Sequence, residues 1–167
     1  MAESIITQDY LRQLFVYLDG HLIWKEDQRA NKVKGKEAGC ISSNGYIYIC
    51  INKKIYSAHR LVYLYHFGNF DGDIDHINGV RNDNHIENLR IATKHQNRVN
   101  SKLFRNNKSQ HKNVSWYKIR KQWRVQFAVN GKPTHFGQYN DIDYAIFVAD
   151  FVRHKLYGEY ARKKENW

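Results

Sequence analysis

Residues Asp73 to Asn97 read DIDHINGVRNDNHIENLRIATKHQN, and the organisation of the chain turns on this stretch. The adjacent pair Asp75 and His76 precedes an Asn78-Gly79 turn. Asn88 follows the histidine by twelve residues, and Asn97 lies nine residues further on, in a helix-like segment. Turns at Asn78-Gly79 and at Asn82-Asp83-Asn84 separate a strand ending near His76 from a short strand over Leu89 to Ile91. A helix capped at or near Thr93 then carries Asn97. Carboxylate, imidazole and amide groups in one strand-turn-strand-helix unit suit chemistry on a phosphate ester. Such hydrolysis needs an activated water, a cation on the phosphate and rigid placement of both.

Composition narrows the partner. The chain has 167 residues, 42% of them apolar, with one proline and ten glycines, which is enough to build a core and unlike a disordered sequence. A formal charge of +11 favours a polyanion, nucleic acid first. No apolar run approaches the roughly 18 residues that a membrane span requires. The start, MAESIITQDYLRQLF, lacks the charged and apolar regions of a signal peptide. Cys40 and Cys50 stand without a CxxC spacing, which excludes a thiolate zinc knuckle; both are expected to be buried apolar side chains.

Upstream, Thr7 opens a helix with Leu11, Leu14, Phe15 and Leu18 on its apolar stripe, ending at Asp19-Gly20. His21 to Lys25 reads as a strand. GYIYICINKKIYSAHR reads as a β-hairpin turning at Asn52-Lys53-Lys54, and His59 to Phe67 as a buried helix ended by Gly68-Asn69. Downstream, Ser101 to Arg124 carries Lys102, Arg105, Lys108, Lys112, Lys118, Arg120, Lys121 and Arg124 with no acidic residue, a DNA-contact candidate that begins as a basic linker. Three strands follow, over Asn113 to Ile119, Gln122 to Val129 and Lys132 to Tyr139, with Asn130-Gly131 as a hairpin turn. A helix capped by Asn140 or Asp141 runs to about Leu156, apolar at Tyr144, Ala145, Phe147, Val148, Phe151 and Val152, and Gly158 stops it. The fold class expected is α+β. Residues 1–104 form a first domain, 105–112 a basic linker, and 113–167 a three-stranded antiparallel sheet packed on one helix.

Within the central stretch, a histidine suits the base because its unperturbed pKa lies near 6.5. A hard cation takes oxygen ligands and keeps several waters, so Asp75 and Asn97 supply enough protein donors if strand and helix converge. Adjacent strand residues point to opposite faces, so Asp75 and His76 require a bend or bulge to act on one substrate. Asn88 is placed to hold the loop through its amide. His59, His85 and His95 read as structural or DNA-adjacent, His95 being the likeliest exception.

The string DHINGVRNDNHIENLRIATKHQN resembles the HNH endonucleases of the phage and intron-encoded homing branch, and HRLVYLYHFGNFDGD resembles the segment leading into their motif. The resemblance covers about residues 44–100 and implies a ββα-metal fold near 73–101. It implies His76 as general base, Asp75 and Asn97 as metal ligands and Asn88 as the residue fixing the loop. It also implies one Mg²⁺ or Mn²⁺ per site, and cleavage of double-stranded DNA to 5′-phosphate and 3′-hydroxyl ends in the cytoplasm of a bacterial host. NVSWYKIRKQWRVQFAVNGKPTHFGQYNDIDYAIFVADFVRHKLYG resembles the Apetala/ethylene-response-factor DNA-binding domain. Strand alternation turns Trp123, Val125 and Phe127 toward the helix, leaving Arg124, Gln126 and Ala128 outside. The outer face, with Ser115, Tyr117, Arg120 and His135 and with Lys112 and Lys118 beside it, is the expected DNA surface. Two other readings compete: a non-catalytic DNA-binding regulator on a degenerate nuclease fold, and an RNA-binding module, which would stack bases on exposed aromatics.

Overall fold

The computed structural model describes residues 6–28, 31–101, 103 and 107–161. The chain divides into two compact units, Met1–Asn97 and Arg98–Trp167, so the division falls ahead of the linker expected at 105–112. Lys102 and Arg105 of the expected basic run lie outside the described residues.

The first unit opens with α1 (Gln8–Leu14), capped by Thr7, whose hydroxyl accepts from the Tyr10 amide. The helix expected to reach Leu18 stops at Leu14. Phe15–Leu18 is strand β1, paired antiparallel with β2 (His21–Trp24). The reason is local. Asp19 and Gly20 both adopt positive φ, the backbone of a two-residue hairpin turn, and the aromatic and β-branched residues before them prefer a strand. Phe15 is fully buried against Trp24, with ring centroids 4.4 Å apart.

A second sheet orders β3 (Cys40–Ile41), β4 (Ile47–Ile51) and β5 (Lys54–Ser57), with the expected turn made by Asn52 and Lys53 at positive φ. Ile49 and Ile51 point into the core, which by alternation sends Cys50 outward. Both cysteines are exposed free thiols, contrary to the expectation of burial. Helix α2 (Ala58–Phe67) follows and ends at Gly68. It buries Ala58, His59, Leu61 and Val62, whereas Phe67 is largely exposed, so one face rather than the whole helix is interior.

Strand β6 (Asp73–His76) pairs antiparallel with β7 (Leu89–Ala92), and α3 (Lys94–Asn100) comes next. Thr93 caps α3 reciprocally: its hydroxyl accepts from the Gln96 amide, and its own amide donates to the Gln96 side chain. Ile74 and Leu89 join Leu11, Phe15, Leu22, Ile49, Leu61 and Val62 in one core. Burial of each such side chain contributes about 1.5–3 kcal/mol, and this core anchors the β6–β7 hairpin from beneath.

In the second unit, residues 107–113 form a knotted turn. The buried Ser109 hydroxyl lies within hydrogen-bonding reach of Asn107 Oδ1 and the carbonyls of His111 and Val114 and accepts from the His111 amide. The sheet orders β10 (Lys132–Tyr139), β9 (Gln122–Val129) and β8 (Val114–Tyr117), with Asn130 and Gly131 at positive φ in the second hairpin turn. Helix α4 (Ile142–Tyr157) starts at Asp141, whose carboxylate accepts from the Tyr144 amide at 2.7 Å. Its core with the sheet is Val114, Val125, Phe127, Ala145, Ile146 and Ala149. Two alanines four residues apart bring the helix close to the strands and leave no room beneath for larger rings. Tyr144, Phe147 and Phe151, read in the sequence as part of the helix's apolar pattern, form a stripe on the opposite face and are exposed instead. No helix among the described residues is long and apolar enough to cross a membrane.

Candidate active site

The β6–β7 ladder is regular from Asp73↔Ala92 to His76↔Leu89. The bulge expected at Asp75 and His76 is absent, because the chain stays paired to the last strand residue and turns only beyond it. The Ile77 amide still reaches back to the Asn88 carbonyl, and the Gly79 amide to the His76 carbonyl. Asp75 and His76 therefore sit on opposite faces, both buried, at 5% and 4% exposure.

The loop between the strands is held by polar side chains. Asn88 Oδ1 accepts from the Asn78 amide at 3.0 Å, while its Nδ2 donates to Asn78 Oδ1 and to the Asp83 carbonyl. Asn78 in turn donates to the Asp83 carboxylate and accepts from the Val80 amide. Asn88 thus ties Asn78 to Asp83 across the loop. Asp83 and Asn78, read in the sequence only as turn residues, share that work.

His76 meets Asn84, which is 2% exposed, through a hydrogen bond of 3.0 Å between Nε2 and the amide oxygen. On its other side the ring lies 5.0 Å from His59 and 5.9 Å from Tyr46, and Arg81 covers Tyr46. Burial is the largest influence on His76 and lowers its pKa, against the opposing pull of Asn84, Asp75 and Asp83, so the ring is neutral at neutral pH. Burial also pushes His59 down to about 3, helped by the charges of His76 and Arg60. His85 is different: Asp83 meets its Nδ1 at 2.6 Å and Asp19 its Nε2 at 3.0 Å, and these hydrogen bonds raise its pKa. His95 is exposed on α3.

Asp75 faces Arg90, its cross-strand partner, whose Nε and terminal nitrogen both donate to Oδ2, at 3.1 and 3.0 Å. Sequence reading missed Arg90, although its place two residues after Asn88 on the paired strand was a usable signal. Asn97 is half-buried on α3, one turn beyond Thr93. Among the described residues no three His, Cys, Asp or Glu side chains converge; the oxygen donors that could hold a cation are the Asp75 carboxylate on β6 and the Asn97 amide on α3. That donor set is all oxygen and fits a hard divalent cation, not a thiolate-bound one.

In the second unit the register brings Ser115, Arg124, Gln126 and His135 onto one sheet face: Ser115 pairs with Arg124, and His135 with Gln126. Tyr117 shares it beneath the Arg124 guanidinium, 5.3 Å from its ring. Gln138, opposite Arg124, belongs to the same face and was not anticipated. Lys118 and Arg120 are exposed in the β8–β9 turn. Lys112 is committed elsewhere, its ammonium donating to the carbonyls of Val99 and Ser101.

Residues 56–99, from the end of β5 through α2 and the hairpin into α3, match the family model described as HNH endonuclease, so the chain carries an HNH nuclease domain. It is also 33% identical over 89 residues to "Protein 3.8" of Escherichia phage T7, an alignment covering 53% of this chain and 73% of that protein. The chain belongs to the family of that phage protein. No solved structure matches it.

Proposed function

We propose that the chain is a metal-dependent DNA endonuclease of the phage homing type. The observation that carries this reading is His76, a buried imidazole held by Asn84 at the end of β6, one residue after Asp75 and within the region matched as HNH endonuclease. Asp75 and Asn97 would hold one Mg²⁺ or Mn²⁺, which when bound supplies charge stabilisation to the phosphate and the departing oxygen. His76 takes a proton from water as that water attacks phosphorus. The P–O3′ bond breaks with its electron pair going to the 3′-oxygen, which takes a proton from solvent water, leaving a 5′-phosphate and a 3′-hydroxyl. Asn88 keeps the loop, and with it His76, in place through its three hydrogen bonds. The outer sheet face, with Ser115, Tyr117, Arg124, Gln126 and His135, and the exposed Lys118 and Arg120 extend the contact along double-stranded DNA, in the manner of an Apetala-like module. The whole acts on DNA in the bacterial host cytoplasm.

A second reading is favoured by the Asp75–Arg90 ion pair, which already neutralises the proposed ligand: a DNA-binding regulator without cleavage. Supercoiled plasmid incubated with Mg²⁺, with and without EDTA, separates the two. Nicking that requires Mg²⁺ and disappears in His76→Ala supports the endonuclease. DNA binding with no nicking in Mg²⁺ or Mn²⁺ supports the regulator.

A further inference from the structure

We propose that Asn84 is a positioning residue of the nuclease site, fixing which nitrogen of His76 serves as the base; this deepens the endonuclease reading and rests on it. The chemistry of a neutral imidazole makes the point testable. Only one of its two nitrogens carries a lone pair, and the partner of the other decides which. Asn84 Oδ1 lies 3.0 Å from His76 Nε2. A carbonyl oxygen only accepts, so this contact requires Nε2 to carry the hydrogen and assigns the basic lone pair to Nδ1. Both residues are almost wholly buried, so water does not readily substitute for the amide. A reversal of the tautomer would set two acceptors against each other in a desolvated place.

The surroundings reinforce the choice. His59 and Tyr46 pack beside the His76 ring and oppose its rotation about the Cβ–Cγ bond. The loop that carries Asn84 is pinned on either side: Asp83 accepts from Asn78 and His85, and Asn88 donates to the Asp83 carbonyl. Asn84 is also uncharged. It orients the ring without the fixed negative charge that an aspartate there would add. Sequence gave no reason to single it out, since Asn82-Asp83-Asn84 reads as an ordinary turn.

The test uses the full chain. Long-range ¹H–¹⁵N correlation of the histidine side chains at neutral pH, with His76 assigned by its loss in His76→Gln, reports the tautomer directly. We expect Nε2 protonated and Nδ1 bare; a bare Nε2 overturns the proposal. Single-turnover cleavage and DNA affinity are then measured for Asn84→Leu and Asn84→Asp. Removing an orienting partner of this kind lowers activity by roughly 10–100-fold, so Asn84→Leu should cleave that much more slowly with affinity within about twofold of the parent. Asn84→Asp, which keeps the acceptor, should recover most of the rate. Wild-type cleavage by Asn84→Leu, alongside an inactive His76→Ala, overturns the positioning role while leaving the endonuclease standing. Full activity in His76→Ala removes the endonuclease assignment itself. If Asn84→Leu does not fold, the tautomer and the Asn84→Asp rate still decide.

Discussion

The loop between β6 and β7 and the sheet of the second unit are built on opposite principles. The loop has little apolar interior of its own and is held by Asn78, Asp83, Asn84, His85 and Asn88 bonding one another and the backbone. The sheet is held by Val114, Val125 and Phe127 against two alanines and Ile146, with polar groups at its edges. A polar lattice specifies geometry closely, because each bond has one partner and one direction. An apolar core specifies burial and tolerates exchange of shape. The proposed roles match these builds: a loop that presents a base in one orientation is served by the first, and a platform that spreads contacts along a duplex by the second.

Four experiments break or sharpen that contrast. The largest effect is expected from His76→Ala, which removes the proposed base and should slow single-turnover cleavage by roughly 10²–10⁴-fold; DNA affinity measured in parallel should stay near the parent value, and a joint loss would recast His76 as structural. Next, Phe127→Ala empties the centre of the second core at a cost of about 3–5 kcal/mol. Chemical denaturation should show that loss, while Mg²⁺-dependent nonspecific nicking survives better than binding to the target site. Equal loss of both would mean the division of labour is wrong.

Third comes acid. His59 has a folded pKa of about 3 against 6.5 ordinarily, so the unfolded chain binds the proton first. Its contribution to stability is present above pH 6.5 and is lost as pH falls from there toward 3. Denaturant midpoints across that range should fall for the parent and fall less steeply for His59→Phe; identical slopes would exclude His59 as the source. The smallest effect is Asn88→Ala, which removes three hydrogen bonds and should cost about 2 kcal/mol. It should also slow cleavage, whereas a substitution on the sheet face such as Arg124→Ala should weaken DNA binding with little change in stability.

Much of this was legible in the residues. The hairpin turns at Asn52-Lys53 and Asn130-Gly131, the caps at Thr7, Thr93 and Asp141 and the inward set Trp123, Val125 and Phe127 follow from local rules whose signals are near in sequence. The errors came where one local signal competed with another. Leu14, Phe15 and Leu18 fit a helical stripe, yet the Asp19-Gly20 turn and the pairing of Phe15 with Trp24 prevailed. Phe147 and Phe151 each lie two positions after a buried alanine, on the opposite side of α4, and reading every apolar residue of the segment as one face overlooked that. At the site, Asp75, His76, Asn88 and Asn97 stood out by spacing. Their neighbours Arg90, His59 and Asn84 did not, because each acts through a contact across strands, helix or loop.

The self-bonded loop also bears on how such a site could change hosts. Among the described residues its hydrogen bonds outward include Arg81 to the Asn44 carbonyl, His85 to the Asp19 carboxylate, and the Ile86 amide to the Tyr17 hydroxyl. Two of these three ends lie in the β1–β2 hairpin, at Tyr17 and Asp19. A scaffold that received residues 73–92 would have to supply those anchors, a core for Ile74 and Leu89, and neighbours for the His76 ring.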